Sequence, residues 1–296
     1  MKNPLFYRVS QIVGFLLGAR IFVAALLTFA LYVSTFFLFN QEESLRDFVF
    51  DFKVHGIIFC TVLSILAGGI INQFYDLEKD QLTKPFRTKL QSFLKQKYFL
   101  YAYLILVVVS LGTALLISPR VFFFFLVYQF FMWFYSHKLS KILIVNNLTF
   151  VSLTLYPFFG MLVYYHTFSG KIFLMAVFLF VILLMIDILK DILTKNADKI
   201  FEYTTIPNFF GTRIAKKVVT SLSVGLFLVS MLIITRMGIH SIMPVYFAAG
   251  LFVLTLSVYF LLSTEKKSNL FVLNILRIWI FMGIIAMLLD GIISRF

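Results

Sequence analysis

The sequence predicts an all-α integral membrane protein with about nine transmembrane helices. Three observations carry that expectation. The chain is 61% hydrophobic and only 13% charged, with a mean hydropathy of +0.98; a soluble protein of 296 residues cannot bury that much apolar surface. The apolar runs are continuous and about 17–27 residues long, the length a helix needs to cross a bilayer. The alternating ten-residue pattern of an outer-membrane barrel is absent from the sequence.

In chain order the spans fall at 13–39, 54–76, 98–117, 119–136, 142–166, 171–192, 216–236, 241–263 and 270–293. The third and fourth are divided by Ser118, Pro119 and Arg120, because proline stops one helix and suits the first turn of the next. The first run is too long for a cleaved signal peptide and shows no small-residue cleavage site. The single cysteine, Cys60, lies inside an apolar run and excludes an intrachain disulfide. No linker or low-complexity tract interrupts the chain, so residues 1–296 read as a single transmembrane domain.

Twenty-six basic residues face thirteen acidic ones. The excess is not a nucleic-acid signature, since it sits in short loops between spans. Lys79, Lys84, Arg87, Lys89, Lys95 and Lys97 follow span two, and Lys195, Lys199, Arg213, Lys216 and Lys217 follow span six. Lys2, Arg8, Lys138, Lys141, Lys266 and Lys267 belong to the same side. The positive-inside rule makes that side cytoplasmic, in what reads as the cell (inner) membrane. Glu42, Glu43, Asp47 and Asp51 then form a solvated loop on the opposite side.

Six of the thirteen acids gather in two stretches, each closing a span and opening a basic loop. In IINQFYDLEKDQLTKP, Asn72, Asp76 and Asp80 recur every four residues and share one face if the helix continues. In MIDILKDILTKNADK, Asp187 and Asp191 are four apart and Asp198 is seven further on, nearly the same face. The shared order of span, acids, basic loop and span reads as a loose internal repeat. Carboxylates cost about 2.5–3.5 kcal/mol each at the centre of a membrane helix, so clustering asks for a reason. Oxygen-only donors suit Mg2+, which binds through a few carboxylates and substrate phosphates. Zinc would call for His or Cys, and the histidines (His55, His137, His166, His240) are scattered. Two such clusters facing each other at a membrane edge would hold a polyanionic substrate through metal. Arg20 within the first span, with Lys84, Arg87 and Lys138 at the cytoplasmic edge, would take up negative charge from a leaving pyrophosphate. Aromatic side chains would flank an allylic cation.

These motifs resemble the UbiA superfamily of intramembrane prenyltransferases. That family's first motif, N-D-x-x-D-x-x-x-D followed by N-x-P-x-R, is matched here by NQFYDLEKD and TKPFR; its second, K-D-x-x-D-x-x-G-D followed by T-x-P, by KDILTKNAD and TTIP. A Tyr-Ser/Thr segment with a following lysine is matched by YSHKLSK at Tyr135–Lys141. The resemblance implies a nine-helix bundle around a central cavity, and Mg2+-dependent transfer of a polyprenyl group from its diphosphate to a lipophilic acceptor. It further implies one ion on Asn72, Asp76 and Asp80 and another on Asp191 and Asp198, with Asp187 as a further candidate. Asp76 and Asp191 would be the catalytic carboxylates, and Arg20, Lys84, Arg87, Lys138 and Lys141 the diphosphate ligands. The first motif is somewhat nearer the branch that includes geranylgeranylglyceryl-phosphate prenyltransferases than the quinone enzymes. The departures are Gln73 in place of the acid after the first Asn, Thr194 in place of the middle Asp of the second motif, Asn196-Ala197 in place of the glycine before its last Asp, and Ser140 at the usual lysine position, with Lys138 and Lys141 as alternatives. Competing readings are a cation-coupled transporter and a family member that binds prenyl diphosphate without turnover. A transporter would place its carboxylates near the bilayer midplane on broken helices. Arg277 and Asp290, in the last span, read as a structural pair or as interface residues.

Overall fold

The computed structural model describes residues 4–40, 44–236, 241–263 and 265–295. Lys2, Glu42, Glu43 and His240 lie outside the described residues. The helices are α1 (Pro4–Gly18), α2 (Ile21–Ser34, prolonged by a π-helical turn at Thr35–Phe39), α3 (Leu45–Phe50), α4 (Phe52–Tyr75), α5 (Leu77–Thr83), α6 (Pro85–Gln91) and α7 (Gln96–Ile117). They continue with α8 (Pro119–His137), α9 (Val145–Tyr165), α10 (Gly170–Ile200), α11 (Ile206–Phe209), α12 (Thr212–Thr235), α13 (Met243–Leu262) and α14 (Lys266–Arg295). Among the described residues, eight helices are long and apolar enough to cross a membrane. The segment expected as the fourth span is helical, as α8, but is not one of those eight: its 19 residues include Arg120, Gln129 and His137 among its aromatic rings. Its start is as the sequence implies: Pro119 occupies the first turn, and the Ser118 hydroxyl accepts from Val121 N at 3.2 Å.

The first span needs correction. The run 13–39 is not one helix, because α1 stops at Gly18 and α2 starts at Ile21. Arg20 is therefore not inside a span but at the break, in a left-handed conformation with φ +55°. That backbone costs a non-glycine residue about 1–2 kcal/mol and is the usual way a helix ends. The break packs tightly against α4, where a Cβ at Gly69 would lie 2.9 Å from the Ala19 carbonyl oxygen. Unbroken hydropathy hid the break; Gly18 and Arg20 were its signals.

The contacts divide the chain into two compact units, one within 1–32 and 42–140, the other within 33–41 and 141–296. In the first unit α4 packs on α7 and α8, and α1 lies on α6. A small polar knot ties the three long helices: Cys60 Sγ donates to Ser110 O at 3.3 Å, Ser64 and Ser110 hydroxyls meet at 3.2 Å, and Gln129 Nε2 donates to Ser64 Oγ at 3.0 Å. Small and polar residues serve this purpose between membrane helices, where apolar area drives no association. In the second unit α10 is the axis, packed on α9, α12 and α14. Its core joins Ile182, Met185 and Leu189 to Val219, Leu226 and Leu276. Asp290 makes no pair with Arg277, which lies 13 residues or about 20 Å away along α14. It caps α13 instead, its Oδ1 accepting from Ser241 Oγ at 2.7 Å and from Ile242 N at 2.5 Å.

Candidate active site

The first acidic motif closes α4 in the first unit. Asp76 breaks the helix with φ −93° and ψ 7°, yet the i→i−4 backbone bonds persist through it: Asp76 N to Asn72 O at 2.9 Å, then Asp80 N to Asp76 O at 2.7 Å. The helix bends without losing register, so the four-residue spacing still stacks Asn72, Asp76 and Asp80. Asn72 Nδ2 donates to Asp76 Oδ2 at 2.5 Å. Asp80 is 4% exposed and pairs with Lys84 Nζ at 2.8 Å. Burial holds the Lys84 ammonium below the usual lysine range; Asp80 opposes that depression, and Arg20 and Arg87 add to it. Arg20, Lys84 and Arg87 thus share one electrostatic neighbourhood with Asp80. Arg87 also donates from Nη2 to Leu17 O at 2.7 Å, a carbonyl at the end of α1 that accepts from Arg20 N as well, at 3.2 Å.

The second motif lies on α10 in the second unit. This helix runs unbroken for 31 residues, about 46 Å, well beyond the hydrocarbon thickness. It continues eight residues past the end at 192 that hydropathy suggests, so Asp187, Asp191 and Asp198 do share one helix. Asp187 and Asp198 are 7% and 0% exposed. Asn147, near the start of α9, donates from one amide nitrogen to Asp187 Oδ2 and Asp191 Oδ2, each at 2.9 Å. Asn146 Nδ2 adds a longer contact to Asp191 at 3.5 Å, and Lys190 Nζ pairs with Asp187 at 2.9 Å while lying over the Phe150 ring. Thr194, where the family pattern has an acid, places its single hydroxyl donor 2.7 Å from Asp198 Oδ2, with Lys190 O as the alternative acceptor at 3.0 Å.

The remaining candidates differ. Lys138 is exposed at the end of α8, and Lys141 lies over the Tyr203 ring at 5.4 Å rather than against a carboxylate. Asn146, Asn147 and Lys190 were not singled out from sequence. The adjacent asparagines in an otherwise apolar run, VNNL, were the available signal.

Do these groups suit a divalent cation? Among the described residues no three His, Cys, Asp or Glu side chains gather closely enough to hold one. Each motif instead offers carboxylates supplemented by an asparagine. Asp187 and Asp191 come close enough to share a single amide NH2, so a partial positive charge already sits where a cation would. All donors are oxygen, and the donor set fits a hard ion that keeps several waters.

Residues 44–282 match the model of the UbiA prenyltransferase family. The chain belongs to that family. It is a multi-pass membrane enzyme of the prenyl-transferring type. A curated relative, digeranylgeranylglyceryl phosphate synthase of Thermococcus gammatolerans, is 28% identical over 253 residues, covering 81% of this chain and 87% of the relative. The enzyme of the same name from Methanosphaera stadtmanae is 30% identical over 155 residues, 52% of this chain and 56% of the relative. Among solved structures, one concerned with digeranylgeranylglyceryl phosphate synthase in membranes aligns with a TM-score of 0.70 at 18% identity, covering 95% of this chain and 99% of that one. A UbiA homologue from Archaeoglobus fulgidus, bound to GPP and Mg2+, aligns with a TM-score of 0.64 at 16% identity, covering 93% and 99%.

Proposed function

We propose that this protein transfers a polyprenyl group from its diphosphate to the hydroxyl of a geranylgeranylglyceryl-phosphate-type lipid, using Mg2+. Asn72, Asp76 and Asp80 would hold one ion; Asp187 and Asp191, which share the Asn147 amide, would hold the other with waters, and Asp198, about two turns further along α10, would meet it through water or the diphosphate. When bound, Mg2+ supplies electrostatic stabilisation of the departing diphosphate. Lys84, Arg20 and Arg87 add to that stabilisation, since Lys84 pairs with Asp80 and all three cations interact with one another there. The C1–O bond to diphosphate breaks with its electron pair on the phosphate oxygen. The acceptor oxygen bonds C1, and its proton passes to the departing diphosphate. In this reading both motifs serve one reaction within a single domain, 1–296, and face the cytoplasm of the cell membrane, the side to which the positive-inside rule assigns the basic loops.

The observation that carries this reading is the difference in charge at the two motifs: Lys84 pairs with Asp80 and lies in the field of Arg20 and Arg87, whereas the second motif has one cation, Lys190 on Asp187, and neutral amides on Asp191. The first arrangement suits a polyanion and the second a cation. The named relatives favour a glycerol-phosphate lipid over an aromatic quinone precursor as acceptor. The test is product mass spectrometry on purified protein given prenyl diphosphates with glycerol-phosphate, quinone-precursor and other aromatic acceptors. A prenylated glycerol-phosphate ether formed only with Mg2+ supports the proposal. Exclusive prenylation of aromatic acceptors, or diphosphate release without product, contradicts it.

A further inference from the structure

The helix that carries the first acidic motif holds two adjacent glycines, Gly68 and Gly69. Glycine destabilises a helix interior relative to alanine, so each position asks what a side chain there would disturb. A Cβ at Gly68 would meet the far end of the Met132 side chain. That half-buried, flexible thioether can move aside. A Cβ at Gly69 would lie 2.9 Å from the Ala19 carbonyl oxygen, 3.1 Å from its carbon and 3.4 Å from Arg20 Cβ. Backbone cannot swing away as a side chain can, so at Gly69 the turn between α1 and α2 would itself have to retreat.

Geometry gives that position a chemical consequence. Gly69 precedes Asp76 by seven residues, about 700° of helix, so it lies on the carboxylate face of α4, about two turns from Asp76. The turn resting on it carries Arg20, whose backbone is left-handed with φ +55°. From there Arg20 acts electrostatically on Lys84 and Arg87, and Arg87 ties the same turn by donating to Leu17 O at 2.7 Å. The other side of the turn is fixed as well. A Cβ at Gly18 would meet Gln73 Oε1 and Phe99 Cε1, on side chains only 7% and 4% exposed. The turn is therefore held against α4 from both sides, where the motif face begins.

We propose that Gly69 is a positioning residue for prenyl-diphosphate binding: its missing side chain lets the Arg20 turn seat against the Asp76 face of α4, which sets where the Arg20 guanidinium meets the diphosphate. The inference rests on the prenyl-transfer reading, in which Arg20 takes up diphosphate charge. In Gly69→Ala the turn retreats by about 0.5 Å or more to reach ordinary van der Waals separation. Charge-assisted hydrogen bonds are short and directional, so a displacement of that size weakens the contact.

The experiment measures binding of a prenyl thiodiphosphate, whose bridging sulfur resists cleavage, to the full-length protein in nanodiscs at saturating Mg2+, by titration calorimetry. Gly69→Ala weakens binding about tenfold, the loss of one charge-assisted contact. Gly68→Ala, the same change one residue away, stays within about twofold of wild type, since only the Met132 side chain has to yield. Arg20→Gln also weakens binding about tenfold, and the double variant with Gly69→Ala is scarcely worse than Arg20→Gln alone, because both changes remove one contact. A merely structural glycine gives losses that multiply. Gly18→Ala presses on the same turn from the other side and weakens binding about threefold, which keeps the test available should Gly69→Ala fail to fold, as judged by Tm. Wild-type affinity in the folded variants at positions 18 and 69, or multiplied losses in the double variant, overturns the proposal. Asp76→Ala separates the outcomes: binding lost there but kept in Gly69→Ala overturns the positioning role alone, whereas binding kept in both overturns the prenyl-transfer reading as well.

Discussion

The two acidic motifs use the same residue types at similar spacings, yet their surroundings differ. The first sits on a helix bent at Asp76, and its Asp80 carboxylate is met by Lys84 in a neighbourhood shared with Arg20 and Arg87. The second sits on an uninterrupted helix; it has a single cation, Lys190 on Asp187, while Asn147 bridges Asp187 and Asp191 and Thr194 holds Asp198. Cations around a carboxylate raise its surroundings toward anion binding; neutral amides hold carboxylates in place without cancelling their charge. The comparison teaches that a run of aspartates is not a function until the counter-charges beside it are known.

Four changes break or sharpen that contrast. The largest effect is expected of Asn147→Leu, which removes the shared donor of Asp187 and Asp191: the Mg2+ concentration for half-maximal activity rises about 10–100-fold, read by metal titration. Lys84→Gln acts on the other motif, where it frees Asp80 from its ion pair, so the Mg2+ requirement does not rise. It raises KM for prenyl diphosphate about tenfold through loss of a charge-assisted contact. Thr194→Val removes the donor to Asp198, a carboxylate with 0% exposure, and costs about 1.5–3 kcal/mol, seen as a lower Tm. The smallest effect concerns pH. Diphosphate affinity falls as pH rises through the pKa of Lys84, which lies below the ordinary lysine value; Arg20 contributes to that depression, so in Arg20→Gln the alkaline limb of the KM profile moves to higher pH.

Much of this architecture was legible in the sequence. Long apolar runs give the spans because backbone groups in lipid must bond within their own segment, and Pro119 marks the α7–α8 boundary to the residue. The four-residue spacing places Asn72, Asp76 and Asp80 together because the backbone bonds survive the bend. What stayed hidden depends on chain reversals and on side chains far apart in sequence. The turn at Arg20 interrupts no hydropathy, so hydropathy merges α1 with α2. Asn147 reaches Asp187 across 40 residues, and Gly69 admits the Ala19 carbonyl only because the chain turns at Arg20. Thr194 shows the same point in reverse. As a departure from the family pattern it suggests a missing ligand, whereas in place it is the hydrogen-bond donor to the remaining one.

The most direct measurement is a double-variant cycle on prenyl transfer. Asp76→Ala and Asp191→Ala, one in each motif, are assayed singly and together over a Mg2+ titration, with folding checked by elution and Tm. If both motifs act on one diphosphate, each single change lowers kcat/KM by about 10^3-fold and the double variant is scarcely worse than either, because groups that act as a unit are not additive. Full multiplication of the two losses, or either single variant with near-normal Mg2+-dependent turnover, contradicts a shared metal–diphosphate chemistry.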